Sequence, residues 1–207
     1  MDRAPSPFGL PLVAILRGIT PEAAVAHVEA LVEAGYDAIE IPTNSPGWER
    51  SVALAAAACG GRARIGAGTV LEPAQIDVLL AAGGAFAVTP DARPDVIAHA
   101  AARGLPLMAG FATPTEAFAA LAAGAPMLKL FPASTFGPGM VQALRAVLPP
   151  VPLFAVGGVT PGNLPVWRAA GCQGAGIGGE LYRAGQPVER TRTQARRFRQ
   201  AWMDHHR

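Results

Sequence analysis

Short apolar runs recur along the chain, and each is followed by an alanine-rich stretch that suits a helix. Eight of the runs fit buried β-strands, since each holds four or five mostly apolar residues beside glycine, proline or polar residues. Their first residues are 21 to 26 positions apart, the length of one strand and one helix with short loops. The predicted strands are Leu12–Leu16, Ala38–Ile41, Arg64–Ala67, Ala85–Thr89, Pro106–Ala109, Met127–Phe131, Leu153–Val156 and Gly174–Ile177. The clearest predicted helices are Pro21–Ala34, Glu49–Ala58, Ala74–Ala81 and Thr115–Ala123.

Glycine and proline mark the ends of the predicted helices. A small residue or an arginine is followed by glycine just before a strand at Ala34-Gly35, Ala82-Gly83, Arg103-Gly104, Ala123-Gly124 and Ala170-Gly171. Glycine just past a helix takes the left-handed conformation that satisfies the last carbonyls. A hydroxyl cap followed by proline predicts helix starts at Thr20-Pro21, Thr113-Pro114 and Thr160-Pro161. Thr113 and Glu116 also fit a capping box.

Eight alternating strands and helices are compatible with two architectures. A closed (β/α)₈ barrel needs at least about 200 residues, and the chain has 207. A doubly wound open sheet is the alternative. Even spacing without a long insertion favours the closed TIM barrel, as a single domain over residues 1–207. Its last segment, about 189–207, is predicted to be an arginine-rich helix that is solvated rather than anion-binding.

Composition narrows the class of protein. With 51% hydrophobic and 15% charged residues, the chain does not resemble a disordered segment, and a net charge of +2 gives no case for a nucleic-acid partner. The longest uncharged run, residues 146–167, contains five prolines and three glycines, which no membrane helix would have. Cys59 and Cys172 fit reduced thiols better than a disulfide. We therefore predict a cytoplasmic protein without a membrane partner.

Lys129 is the only lysine of the chain, and it lies in the middle of a predicted strand. Strand alternation places Leu128 and Leu130 against the helices and Lys129 toward the barrel axis. Burying an ammonium group is costly, so the amine tends to lose its proton and become a nucleophile. Such an amine can form an imine with a ketone. The alternative is a lysine whose ammonium reaches solvent or pairs with a carboxylate.

Other polar residues stand at the carboxyl ends of predicted strands, where a TIM barrel has its active site. Glu40, between two isoleucines, is predicted to point inward, where a raised pKa would suit it to move protons. A structural ion pair with Lys129 or Arg17 is the alternative. Arg17 could bind a carboxylate through two parallel hydrogen bonds, and Thr69 offers a hydroxyl beside glycines that let a ligand approach the backbone.

Two glycine pairs, Gly157-Gly158 and Gly178-Gly179, follow the last two predicted strands. Loops at these positions of a TIM barrel commonly bind phosphate through backbone N–H groups. Ordinary turn glycines are the alternative.

No metal site is predicted, because the histidines have no metal-ligand spacing with one another or with a cysteine. The four histidines are His27, His99, His205 and His206. Neither cysteine has a histidine near it in sequence, so thiol catalysis has no support either.

Five motifs follow one another within a region, from about Leu12 to Ala184, that carries a family resemblance. They are AILRGI at 14–19, EIP at 40–42, IGAGTV at 65–70, LKLFP at 128–132 and AVGGV at 155–159. Together they resemble the class I 2-keto-3-deoxy-6-phosphogluconate/galactonate aldolases. The resemblance implies a (β/α)₈ enzyme, typically trimeric, that needs no cofactor. It also implies that a phosphorylated keto acid is cleaved to pyruvate and glyceraldehyde 3-phosphate, with Lys129 as the Schiff-base lysine and Glu40 as the group that moves protons.

The same resemblance places Arg17 and Thr69 near the keto acid and the two glycine pairs around the phosphate. Asn44 and Val156 point to the galactonate branch, because the gluconate branch usually has arginine and threonine there. Arg17 would then bind the carboxylate in place of the missing arginine. Gly179 departs from the serine of many members, which removes one hydroxyl contact to the phosphate.

Several other functions stay open. They are the same reaction on the gluconate epimer or on 4-hydroxy-2-oxoglutarate, a non-covalent phosphosugar isomerase or epimerase, and a non-catalytic phosphosugar-binding barrel. An isomerase would tolerate Lys129→Arg far better than an imine-forming enzyme. A binding barrel would keep the glycine pairs but would have no reason to bury both Lys129 and Glu40.

Overall fold

Eight parallel strands close into a barrel in sequence order, and β8 pairs with β1. In the computed structural model, which describes residues 4–59 and 61–204, the strands are β1 Leu12–Ile15, β2 Ala38–Pro42, β3 Arg64–Gly68, β4 Phe86–Val88, β5 Leu107–Phe111, β6 Met127–Leu130, β7 Leu153–Val156 and β8 Gly174–Ile177. The helices are α1 Pro21–Glu33, α2 Trp48–Cys59, α3 Pro73–Ala81, α4 Pro94–Ala102, α5 Pro114–Ala122, α6 Ala133–Arg145, α7 Leu164–Ala170 and α8 Val188–Met203. The predicted TIM barrel is confirmed, and the open sheet is excluded.

Local signals account for several of the helix boundaries. The five glycines predicted to end helices all have positive φ, from 68° at Gly104 to 117° at Gly171. The predicted capping box also forms: the Glu116 N–H donates to Thr113 Oγ1 at 3.3 Å, and the Thr113 N–H donates to Glu116 Oε2 at 2.8 Å. Backbone conformation and capping therefore act together to end one element and start the next.

The helix starts predicted at Thr20-Pro21 and Thr113-Pro114 are confirmed, whereas the third is wrong. Thr20 is the N-cap of α1, but its side chain makes no capping hydrogen bond. The helix predicted from Thr160-Pro161 was wrong in its start, since α7 begins at Leu164. Thr160 and Asn163 instead bond to each other across a turn, with the Thr160 N–H donating to Asn163 Oδ1 at 2.8 Å and the Asn163 N–H donating to Thr160 Oγ1 at 3.3 Å.

Strand alternation divides the buried residues into two sets. Outward-facing side chains pack against the helices in the main core, and inward-facing ones fill the barrel. Near the amino ends of the strands the filling is aromatic, because Phe8 packs on Phe86 and Phe154 with ring centroids 5.5 and 5.9 Å away. This plug closes one end of the barrel and leaves the carboxyl ends for polar side chains.

The last helix, α8, packs against α1 through a buried face. Thr191 Oγ1 lies 2.8 Å from His27 Nδ1, and Phe198 and Trp202 are buried on the same helix. The prediction for residues 189–207 extends past the described part of the chain, and His205 and His206 lie outside it. Within the described residues, no helix combines the length and the apolar character needed to span a bilayer.

Candidate active site

A cavity of about 620 Å³ opens at the carboxyl ends of the strands. All eight residues that the sequence singled out line it: Arg17, Glu40, Thr69, Lys129, Gly157, Gly158, Gly178 and Gly179. A larger groove of about 890 Å³ lies near Phe8 and Trp202 and contains neither Lys129 nor Glu40. The smaller cavity is therefore the candidate active site.

Lys129 comes from β6 and is only 6% exposed. Its Nζ lies 5.0 Å from the centre of the Phe131 ring. The pKa of Lys129 is lowered to about 8, mainly by burial; the carboxylates of Glu40 and Asp91 oppose this shift, and the charge of Arg17 adds to it. With that pKa about a tenth of the amines are neutral at pH 7. The side chain is almost wholly buried and lines the cavity, so the structure does not show a lysine that extends out to bulk solvent.

Glu40 comes from β2 and is 4% exposed. Its carboxylate occupies the space beside Gly68, where the Cβ of any other residue would overlap Oε2. Oε2 is buried and accepts no hydrogen bond from the described residues. Burial raises the pKa of Glu40 to about 7, against the opposing effects of Lys129 and Arg17. Near neutral pH the group can therefore both give and take a proton.

Lys129 and Glu40 do not form a close ion pair. Among the described residues, every carboxylate–cation pair within 4.0 Å involves other side chains. Each charge nevertheless shifts the pKa of the other group, so the two lie within electrostatic range. A structural salt bridge therefore does not account for the burial of these two groups.

Arg17, just after β1, is held by residues that follow the next two strands. Its Nη1 donates to Asn44 Oδ1 at 2.8 Å, and its Nη2 donates to Thr69 Oγ1 at 3.4 Å. Thr69 is itself fixed by Thr43 Oγ1, which donates to the Thr69 carbonyl at 2.6 Å. Thr69 has φ of 54°, a left-handed value that is uncommon for a residue other than glycine. The guanidinium is therefore oriented before any ligand enters.

The two glycine pairs present unused backbone donors. Within the described residues, the N–H groups of all four glycines donate no hydrogen bond to the protein. Their carbonyls, in contrast, accept from the Ser134 N–H, Asn163 Nδ2, the Leu181 and Tyr182 N–H groups and Arg183 Nε. Occupied acceptors with open donors favour an anionic ligand at this end of the cavity.

Sequence reasoning missed several residues of the cavity. Phe131, two positions after Lys129 and directly after the end of β6, lines the cavity, and continuing the alternation of the strand could have identified it. Pro90, Glu180 and Arg183 also line the cavity, but they come from loops whose course no periodicity predicts. The described residues contain no group of three or more His, Cys, Asp or Glu side chains able to hold a metal ion.

Comparison with known proteins agrees with this geometry. Residues 9–192 match the family model of KDPG and KHG aldolase. The chain is 56% identical to the 2-dehydro-3-deoxy-6-phosphogalactonate aldolase of Escherichia coli (strain K12), over 94% of this chain and 96% of that protein. It superposes on the solved structure described as native KDPGal with a TM-score of 0.95 and 54% identity, covering 97% of this chain and 98% of the other.

A third similar protein is an engineered assembly. It is a cube-shaped, highly porous cage made by fusing symmetric oligomeric domains, and the two chains superpose with a TM-score of 0.93 and 55% identity. The match covers 95% of this chain and 73% of that one.

Proposed function

The chain belongs to the KDPG and KHG aldolase family, and from that premise we propose that it cleaves 2-dehydro-3-deoxy-6-phospho-D-galactonate to pyruvate and D-glyceraldehyde 3-phosphate. The observation that carries the proposal is the buried Lys129 amine, which shares a cavity with the buried Glu40 carboxyl group without a close ion pair. A relative that bears this activity in its name matches this chain over nearly the whole length of both proteins.

The first stage forms a covalent bond to Lys129. The neutral amine attacks the C2 carbonyl of the substrate, and a carbinolamine results. Glu40 in its protonated form gives a proton to the carbinolamine hydroxyl, which leaves as water. The product is a protonated imine between C2 and Nζ.

The second stage breaks the carbon–carbon bond. The Glu40 carboxylate takes the proton of the C4 hydroxyl through a bound water, and the C3–C4 electron pair moves into the iminium system. Glyceraldehyde 3-phosphate leaves, and an enamine of pyruvate remains on Lys129. Protonation of C3 and hydrolysis of the imine release pyruvate and restore the amine. Because the iminium nitrogen accepts the electrons, this sequence of steps uses no metal.

The two ends of the substrate bind at opposite parts of the cavity. Arg17, held by Asn44 and Thr69, binds the carboxylate beside the ketone through charge-assisted hydrogen bonds. The open N–H groups of the two glycine pairs bind the phosphate. In this assignment Thr69 and the four glycines are substrate-binding residues, and Lys129 and Glu40 are the catalytic ones.

The galactonate form is favoured over its C4 epimer by two positions. Asn44 occupies the place of an arginine in the gluconate branch, and here its Oδ1 accepts from Arg17. Val156 lines the cavity where that branch has threonine. A coupled pyruvate assay with both epimers should show preference for the galactonate form, and a strong preference for the gluconate form would overturn the assignment.

We also propose that the protein is a cytoplasmic homotrimer. A similar protein is built by fusing symmetric oligomeric domains, and trimers are typical of the aldolases that the motifs resemble. Light scattering should give three times the chain mass of 21.2 kDa. A monomer at micromolar concentration would contradict the trimer.

The decisive experiment is reductive trapping. Borohydride added with pyruvate should reduce the imine and leave a stable adduct on the Lys129 peptide, which mass spectrometry identifies. Lys129→Arg, which keeps the charge but cannot form the imine, should give no adduct and no cleavage. Active enzyme with an unmodified Lys129 peptide would refute the mechanism.

A further inference from the structure

Three cationic side chains line the catalytic cavity: Arg17, Lys129 and Arg183. Arg17 is directed toward Asn44 and Thr69, and Lys129 is buried on β6. Neither belongs to the loops that carry the glycine pairs. Arg183 lies on the segment that follows β8, only four residues beyond Gly179.

The guanidinium of Arg183 lies beside the second glycine pair. Its Nε donates to the Gly179 carbonyl at 3.1 Å, and its Nη2 lies 4.0 Å from Glu180 Oε1. The Arg183 side chain is 65% exposed, so the contact with Glu180 is a weak surface pair. A doubly charged anion at the open N–H groups would compete well for this guanidinium.

The backbone around Arg183 is anchored through Gln186. Gln186 Oε1 accepts from the Arg183 N–H at 3.0 Å, and Nε2 donates to the Leu181 carbonyl at 3.0 Å and to Thr191 Oγ1 at 2.7 Å. Thr191 in turn bonds to the buried His27. This chain of hydrogen bonds fixes the main chain of the loop to α1 and α8, so Arg183 is held at the cavity mouth.

The charges around Arg183 indicate a role for its position. The Glu180 carboxylate also lines the cavity, and it would repel a phosphate bound at Gly178 and Gly179. A guanidinium that lies beside both Gly179 and Glu180 offsets this repulsion and can donate charge-assisted hydrogen bonds to the phosphate. Resting on the aldolase function proposed above, we propose that Arg183 binds the substrate phosphate and makes the enzyme prefer phosphorylated over unphosphorylated keto acids.

The test compares two substrates in matched variants. Arg183→Gln should lower kcat/KM about tenfold for the phosphorylated substrate, mainly through KM, and should leave it unchanged for the same keto acid without phosphate. Arg183→Lys should recover part of the loss. Glu180→Gln should raise kcat/KM for the phosphorylated substrate and leave it unchanged for the substrate without phosphate. Arg190→Gln, an exposed arginine outside the cavity, is the control and should change neither substrate.

Two further readouts separate this proposal from the aldolase proposal. Trapping of pyruvate on Lys129 should be normal in Arg183→Gln, and calorimetry with glycerol 3-phosphate should show weaker binding than in the wild type. Equal losses for both substrates would mean a structural role, and unchanged values for both would mean no role; either result overturns the assignment. Absence of pyruvate trapping in the wild type would instead refute the aldolase mechanism, whatever the calorimetry shows.

Discussion

Glycines in the barrel wall differ from glycines at the mouth of the candidate active site in what a side chain would meet. In the barrel wall, a Cβ at any of five glycines would run into atoms of neighbouring residues; these are Gly66, Gly68, Gly110, Gly174 and Gly176. At the mouth, a Cβ at Gly178 or Gly179 would meet nothing within 4 Å, and neither residue has positive φ. Neither crowding nor backbone conformation explains the two mouth glycines.

This difference distinguishes glycines that are required by packing from glycines whose open space a ligand could use. A wall glycine leaves space that another part of the protein fills. The Glu40 side chain occupies the space at Gly68, and the Phe86 ring occupies the space at Gly66. Such positions allow a large or charged group to lie inside a barrel that has little room. A mouth glycine leaves space that stays open in the described structure, and a bound anion close to the backbone would use it. The comparison predicts opposite results for substitution at the two places.

The largest effect is expected at the wall, in Gly68→Ala. The new methyl would overlap Glu40 Oε2, so the carboxylate must move away from its position near Lys129. We expect kcat to fall by about 10² to 10⁴, as expected for loss of a general acid–base group. Steady-state cleavage assays measure the loss.

Glu40→Gln is the matched variant for this experiment. It should lose activity to a similar extent, and the double variant should lose little more than either single one, because both changes remove the same group. Circular dichroism establishes that each variant is folded. Full activity in a folded Gly68→Ala would show that the position of Glu40 beside Gly68 is not needed for catalysis.

The side chains on the barrel strands could be predicted from the sequence, whereas much of the loop structure at the mouth could not. Alternation with period two placed Lys129 and Glu40 on the axis because both lie within regular strands. The backbone N–H groups of the two glycine pairs could be predicted as phosphate donors because these pairs come directly after the seventh and eighth predicted strands. Arg183 was missed because it lies in a loop, and its contacts depend on the side chain of Gln186 and on loop geometry. The late start of α7 came from a hydrogen-bonded turn that resembles a helix cap in sequence.

A second wall glycine leads to a prediction on pH dependence. Gly110 is the strand partner of Lys129, and its missing side chain lets the backbone at Pro90 and Asp91 lie against β5. Asp91 Oδ1 is buried without a hydrogen-bond partner among the described residues, and this carboxylate raises the pKa of Lys129. Removing its charge should therefore lower that pKa and make the neutral amine available at lower pH.

Asp91→Asn tests this direction. The rising limb of the pyruvate-trapping rate against pH should move toward lower pH, and the rate at pH 7 should rise about two- to threefold. Asp95→Asn, in which an exposed carboxylate paired with Arg93 is removed, is the control and should leave the limb in place. Movement of the limb toward higher pH would contradict the assignment of Asp91 as a stabiliser of the ammonium.

The smallest effect is expected at the mouth, in Gly179→Ser. The added side chain meets open space and needs no unusual φ, so the melting temperature should stay close to that of the wild type. Its hydroxyl would lie at the cavity and could donate to the phosphate, which should lower KM for the phosphorylated substrate about three- to tenfold. The same keto acid without phosphate should be unaffected.

Gly158→Ser is the contrasting variant, since both changes add the same side chain to a loop that we propose binds the phosphate. Gly158 has φ of 74°, and a Cβ there would lie 2.6 Å from the Ser134 Cβ, so this variant should melt at a lower temperature and bind the phosphorylated substrate less tightly. If Gly179→Ser were destabilised to the same extent, or if it weakened phosphate binding, the phosphate would not use the open space beside Gly179 as proposed. The mouth glycines would then have to be explained by the fold, as those of the wall are.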